Sequence, residues 1–481
     1  MTEPDELLIS GGRVYADGAL RTADVRVRDG VIVEIAPGLT GAPRVLSADG
    51  LLVLPGGIDP HVHIEQMSGM GLWNADTFET ASCAAALGGT TALIAFAAQQ
   101  PGQRLAEAVS DYAVRANAGC YVDYAFHLSV SDVGVPDFAT DLMDLVAAGH
   151  RSIKVFTTYN IGLSDHALID VLSLARRSKA LVCVHAENDG IVGWMRESLV
   201  ASGKMEPFWH AVSRPRLAEV EAVFRLCTMA ELLAQPVMIF HVSCARALAV
   251  IAEARSRGVP VWAETCPHYL LSTADVLAAP GLDGAKWMCS PPQRDAADVD
   301  ALWGGIADGT IDLVSSDHAP YRFDTTGKLA AGSAPPFTEI ANGLPGIELR
   351  QPLLFDAMVS QGRGGLEQFV RTTSERPAEI YGLRSKGRIA PGYDADIVLW
   401  DPDTQVTYCD DDLHDNVGYN PWSGRTIRGY PRSVLVRGQT VVSDGKLTDA
   451  TPSGRWIARP DMGVRALHPP APEIQAMEAN P

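Results

Sequence analysis

Eight short apolar runs recur through the middle of the chain, roughly 25–60 residues apart, with helix-like segments between them. In order they are LVLPGGIDPHVH, TTALIAFAA, YVDYAFHLSV, SIKVFTTY, ALVCVHAEN, PVMIFHVS, VPVWAETCPHY and IDLVSSDHAP. Intervening segments such as RLAEAVSDYAVRANAG and ARALAVIAEARSRG carry apolar positions at helical spacing. Buried strands that alternate with helices predict an α/β fold, a (β/α)8 TIM-type barrel.

The two ends of the chain read differently. Residues 1–54 and 394–448 hold short alternating runs with turn signals, among them ADVRVRDGVIVEIAPG and RSVLVRGQTVVSDGK. Asp29-Gly30 between two such runs is a hairpin signal. Neither end is long enough to make a good domain alone. They are therefore expected to pair into one small β-sandwich, with 1–54 as its N-terminal part and 385–455 as its C-terminal part. The barrel would occupy 55–384, and 456–481 would be a proline-rich tail.

Charge excludes some partners. With 39 basic and 58 acidic residues the formal charge is −19, which argues against nucleic acid and against an anionic membrane surface. MTEPDELLIS lacks the basic start and apolar run of a signal peptide, and no stretch approaches about 18 uninterrupted apolar residues. The eight cysteines are scattered with no C-x-x-C pair, as expected for reduced thiols in a cytoplasmic protein.

The chemistry-bearing residues fall at the C-terminal ends of the runs, where barrels of this kind place their active sites. His61 and His63 are two apart on a strand, so both imidazoles share a face and suit one divalent metal. Asp59 precedes them by two and adds a carboxylate that orients or ligates. His185, His241 and Asp317 end the fifth, sixth and eighth runs. Each alone has an ordinary structural reading, but their convergence at one end of a barrel does not. Lys154 sits in the fourth run, where a charged, unpaired amine costs several kcal/mol. A structural role would need a buried carboxylate partner, and none is obvious nearby in sequence. The alternative is a lysine carboxylated by CO2, whose two oxygens bridge a pair of metal ions. An ammonium beside two cations would be untenable at low dielectric.

Together GGIDPHVH, SIKVFTTY, VHAEN, HVS and SSDHAP resemble the binuclear-metal amidohydrolases, and within them the dihydropyrimidinase/D-hydantoinase group. GGTT at 88–91, ETCPHYL at 264–270, CSPPQR at 289–294, NGLPGIELR at 342–350 and GRIAPGYDADIVLWD at 387–401 extend the resemblance from about residue 5 to 455. It implies two divalent metal ions, zinc by family, with His61, His63 and Asp317 on one and His185 and His241 on the other. Carboxylated Lys154 and a water-derived hydroxide would bridge them. Tyr159 would stabilise the oxyanion, Asp317 would shuttle the proton, and Ser290 and Asn342 would contact the amide edge of the substrate, mainly through backbone groups. Without the resemblance, Tyr159 reads equally as a packed strand-end aromatic and the other two as turn residues. The implied reaction opens a dihydropyrimidine or hydantoin ring to an N-carbamoyl amino acid. The implied assembly is a homotetramer, and the substrate a small cyclic amide or ureide.

Allantoinase and cyclic-imide hydrolase are the neighbouring readings. Dihydroorotase is disfavoured, because Glu65 stands where that family has an arginine. A single-metal deaminase would not need Lys154, and a non-catalytic scaffold relative would have lost ligands. The stretch after His63, HIEQMSGMGLWNAD, and Asn160 after Tyr159 depart from the usual pattern, in loops expected to meet the ring substituent. His127, His268 and His318 are expected to support the site by hydrogen bonding rather than to bind metal.

Overall fold

The computed structural model describes residues 5–466 and 468–479. Residues 1–4 of the expected N-terminal segment and 467, 480 and 481 of the tail lie outside the described residues. The eight apolar runs form eight strands: β1 (Gly57–Val62), β2 (Thr90–Ala98), β3 (Asp123–Ser129), β4 (Ser152–Phe156), β5 (Leu181–His185), β6 (Val237–Ile239), β7 (Val261–Thr265) and β8 (Leu313–Val314). They make one parallel sheet in chain order, curled into a TIM-type barrel.

Period-two alternation sorts the side chains. Val182 and Val184 of β5 pack outward with the helices, while Leu181 and Cys183 join Ile94, Phe96, Met238 and Phe240 inside the barrel. On β4, Ile153 and Val155 belong to the outer core, so Lys154 points inward.

The seam between β1 and β8 is closed less by backbone than by side chains. One bridge pairs Val62 with His318, and His63 N donates to His318 O at 2.7 Å. The rest falls to Arg350, which is fully buried and donates from one nitrogen to Ile58 O (3.0 Å) and Val314 O (3.1 Å). Its charge faces Asp59 at 3.5 Å, and Asp59 accepts from Ser316 N at 3.1 Å. Asp59 therefore orients rather than ligates. An irregularity in the β1–β2 register between Asp59 and Val62 breaks the alternation, so Ile58 and His61 both face inward and Asp59 turns to the seam.

The two chain ends meet in a seven-stranded mixed sheet, in which Leu52–Pro55 pairs antiparallel with Ile397–Thr407. A four-stranded sheet drawn from residues 6–47 packs on it around Val14, Val25, Ile32, Val53, Ile397 and Leu435. Asp29 and Gly30 form its hairpin turn, both with positive φ (52° and 82°), as a two-residue turn between twisted strands requires. The tail runs under the N-terminal end of the barrel. There, fully buried Arg459 donates to Ser152 Oγ (2.8 Å) and Phe126 O (2.6 Å). All eight cysteines are unpaired and six are buried. Among the described residues no helix is long and apolar enough to cross a membrane.

Candidate active site

A cavity of about 400 Å³ opens at the C-terminal ends of the strands. His61, His63, Lys154, Tyr159, His185, His241, Ser290, Asp317 and Asn342 all line it, so the nine residues that the resemblance assigns to metal or substrate share one cavity, and Asp59 does not line it. One imidazole nitrogen of His61, one of His63 and one carboxylate oxygen of Asp317 lie within 4.8 Å of one another, a group that can hold a metal ion. Asp317 Oδ1 is 3.0 Å from His61 Nε2 and 3.5 Å from His63 Nε2. His185 and His241 form the adjacent pair, ring centroids 4.5 Å apart, and His241 is 5.4 Å from His61.

Hydrogen bonds choose which nitrogen each ring presents. His61 Nδ1 meets Glu264 Oε1 at 2.6 Å, His63 Nδ1 meets Gln66 Oε1 at 2.7 Å, and His185 Nε2 meets Glu187 Oε2 at 2.8 Å. Each bond leaves the opposite nitrogen for a ligand. His241 Nδ1 is buried without a hydrogen-bond partner, and His61 Nε2 faces only the Asp317 carboxylate, as suits an arrangement built around a cation. Burial pushes His185 and His241 well below the ordinary imidazole range, so both are neutral, the form that binds metal. Burial acts on His61 too, but Glu264 and Asp317 outweigh it and raise its proton affinity. Burial alone would raise Asp317; His61 and His63 reverse that and hold its carboxyl well below the usual carboxylate range.

Lys154 is 1 % exposed. Its amine lies over the rings of Phe240 (4.3 Å), Phe156 (4.7 Å) and Phe96 (5.4 Å). No carboxylate among the described residues ion-pairs with it, so the structural reading of a buried pair fails. Burial pushes the amine down to about 8, against the opposing pull of Asp317 and Glu264. A neutral amine is the nucleophile that CO2 carboxylation needs.

Backbone strain marks the same region. Tyr159, His241 and Asp317 hold positive φ (71°, 39° and 50°), which costs a non-glycine residue on the order of 1 kcal/mol or more. For His241 the reason is visible. Phe240 already points into the barrel, so strict alternation would send His241 outward, and the left-handed turn brings it back. The Tyr159 ring lies 5.2 Å from His185 and 5.0 Å from the Arg214 guanidinium; burial raises its hydroxyl above the ordinary phenol range.

Ser290 and Asn342 stand on two loops braced together. Gly343 N donates to Met288 O at 2.8 Å. Buried Lys328 donates to Ala341 O (2.8 Å) and Met288 O (3.4 Å). Gly343 is required there, since a Cβ would meet Ala319 O at 2.2 Å. Asn342 Oδ1 is buried and unpartnered.

His127, His268 and His318 lie outside the cavity lining. His127 Nε2 bonds Pro60 O at 2.7 Å, and His318 Nε2 bonds Asp76 at 2.9 Å. His268 packs against Tyr269 with Nε2 unpartnered. Sequence reasoning missed Glu264, Glu187, His210 and Arg196. The first two were within reach: ETCPH ends the seventh run as SSDHAP ends the eighth, and Glu187 follows His185 by the same two-residue step that joins His61 to His63.

A parallel barrel with imidazoles and a carboxylate converging at the C-terminal ends of its strands defines a TIM-barrel enzyme of the metal-assisted hydrolase class. The chain belongs to the amidohydrolase family, whose profile matches residues 52–441. It is 39% identical to a D-hydantoinase of Ralstonia pickettii over 95% of this chain and 99% of that one. It is 37% identical to a D-hydantoinase of Rhizobium radiobacter, over 94% and 99%. The crystal structure of a dihydropyrimidinase from Brevibacillus agri NCHU1002 superposes with a TM-score of 0.91 at 37% identity, covering 95% of this chain and 99% of that one.

Proposed function

We propose that the protein hydrolyses cyclic amides, opening a dihydropyrimidine or 5-substituted hydantoin ring to an N-carbamoyl amino acid. The observation that carries this reading is the convergence of four histidines, Asp317 and an unpaired, fully buried Lys154 on one cavity. Relatives named D-hydantoinase and dihydropyrimidinase, similar over nearly the whole chain, support the substrate class.

In this reading His61, His63 and Asp317 would hold one divalent ion, zinc by family resemblance, and His185 and His241 a second, with Lys154, carboxylated on Nζ, as the remaining anionic ligand. When bound, such ions supply acidity to a shared water and polarise the ring carbonyl. Asp317 accepts the water's proton and returns it to the ring nitrogen as the C–N bond breaks, one carboxylate serving as base and then acid. The water oxygen ends in the new carboxyl group, one of its protons on the leaving nitrogen, and the other is released as that carboxyl ionises. Tyr159, kept protonated by burial, donates a hydrogen bond to the carbonyl oxygen as charge builds there. Ser290 and Asn342 hold the amide edge, on loops fixed by Lys328. Glu264, Gln66 and Glu187 keep three imidazoles in register. Cytoplasmic residence and a homotetramer belong to the same proposal, the second resting on the resemblance alone and checked by sedimentation.

The test is a ring-opening panel on the metal-loaded enzyme: dihydrouracil, hydantoin, both enantiomers of 5-substituted hydantoins, allantoin and succinimide. Opening of dihydrouracil or the hydantoins is expected. Exclusive turnover of allantoin or succinimide would redirect the assignment, and no turnover of any ring would end it.

A further inference from the structure

In a chain of formal charge −19, the cavity is lined by three basic side chains, Lys154, Arg196 and Arg214, and by one acidic one, Asp317. Two of the three are accounted for. Lys154 belongs to the histidine cluster, as a neutral amine or its carboxylated form, and Arg214 is bonded to Glu187 at 2.5 Å. Arg196 is not. Its one hydrogen bond among the described residues runs from Nη2 to Thr338 O at 3.3 Å, and no carboxylate ion-pairs with it. A guanidinium has five N–H donors in a fork that fits a planar anion. Here that fork is half-buried, beside a second cation, with most of its donors unused.

The arginine is also well held. It stands on the helix Asp189–Ala201, whose N-cap Asn188 accepts from Ile191 N at 2.9 Å. It lines the cavity with Thr338 and the exposed Met70, and no hydrogen bond or ion pair among the described residues joins it to the four histidines or to Asp317. An anion at Arg196 is therefore assigned to a substrate group other than the carboxylate formed at the scissile carbonyl.

We infer that Arg196 is a specificity-determining residue that selects rings bearing a short exocyclic side chain with a carboxylate. The inference rests on the cyclic-amide reading above and narrows it to acidic 5-substituents. A planar carboxylate matches the guanidinium fork, and no carboxylate among the described residues is already ion-paired with it.

The test compares 5-carboxymethylhydantoin with 5-carbamoylmethylhydantoin, a near-isosteric pair that differs in charge, on the metal-loaded enzyme with unsubstituted hydantoin as reference. The wild type should favour the carboxylate in kcat/KM. Arg196→Gln should cut the carboxylate-to-carbamoyl ratio about tenfold to a hundredfold, mainly through KM, the loss expected for one charge-assisted hydrogen-bonded pair. Arg196→Lys should restore part of it. Hydantoin opened with no charge preference, or a ratio unmoved in Arg196→Gln, overturns the inference while the cyclic-amide reading stands. If no ring is opened, that reading falls, and calorimetry decides the inference instead. Weaker binding of 5-carboxymethylhydantoin to Arg196→Gln than to the wild type supports it, and equal binding overturns it.

Discussion

Replacing Glu264 with glutamine should weaken metal binding while leaving the metal-free protein about as stable as before. Glu264 is 0 % exposed; Oε1 sits 2.6 Å from His61 Nδ1, and Oε2 has no partner. The amide keeps the volume and one acceptor, so the His61 ring stays in place. What disappears is the charge that strengthens its donor power toward a cation. Losing a hydrogen-bond partner behind a metal ligand costs about 10–100-fold in metal affinity, or about 1.4–2.8 kcal/mol. Without metal the balance differs. Glu264 is then a buried carboxylate with half its acceptors unused, and neutralising it relieves a desolvation penalty. The new amide N–H group finds no acceptor, at about 1–3 kcal/mol, so the two effects roughly offset. His61 adds a pH signature. Burial lowers its proton affinity, but Glu264 and Asp317 raise it overall. Protons therefore compete with metal at a higher pH in the wild type than in the variant, and the pH below which affinity begins to fall from its plateau should be lower in Glu264→Gln. Chelator competition across pH and denaturant melts of the stripped protein measure both halves. Unchanged affinity would refute the holding role. A stripped variant destabilised by more than about 3 kcal/mol would show that Glu264 is a core strut instead.

Lys154→Ala should strip most bound metal and activity, read by elemental analysis of the purified variant; full metal content would sink the bridging role. Asp317→Asn should bind substrate while kcat falls about 10²–10⁴-fold, the usual weight of a general acid–base group, and near-normal turnover would exclude it as proton carrier. Lys328 offers a pH test. Burial pushes its amine from 10.5 down to about 7, so between those values the unfolded chain holds a proton that the folded one releases. Stability therefore gains about 1.4 kcal/mol per pH unit from this group as pH rises through the window, and Lys328→Met should lose that slope in denaturant titrations from pH 7 to 9.5. Arg350→Met should cost about 3–5 kcal/mol, because it leaves Asp59 charged and unpaired at the barrel seam. A melt within 1 kcal/mol of wild type would show that the seam is held by backbone alone.

Much of this molecule is written locally. The apolar runs read as strands because they are short, nearly continuous in apolar residues and separated by segments of helical spacing. Residue parity alone points Lys154 inward, since Ile153 and Val155 need the outer core. His61 and His63 share a face for the same reason. Other features depend on contacts between distant parts of the chain. Glu264 lies 203 residues from the His61 it holds, and no spacing rule reaches that far. Asp59 was ambiguous in sequence because a register irregularity, invisible in the alternation, turns it toward Arg350. His241 reaches the cavity only by breaking alternation, through a left-handed backbone that the sequence pattern does not announce. Arg196, half-way along an ordinary amphipathic helix, reads as a solvated surface charge until the fold sets it in the cavity wall. Local sequence determined which residues form strands and which way most of them face, because steric preference and burial act over a few residues. Tertiary structure decided which polar groups meet, because their pairing depends on where the closed barrel brings strand ends together.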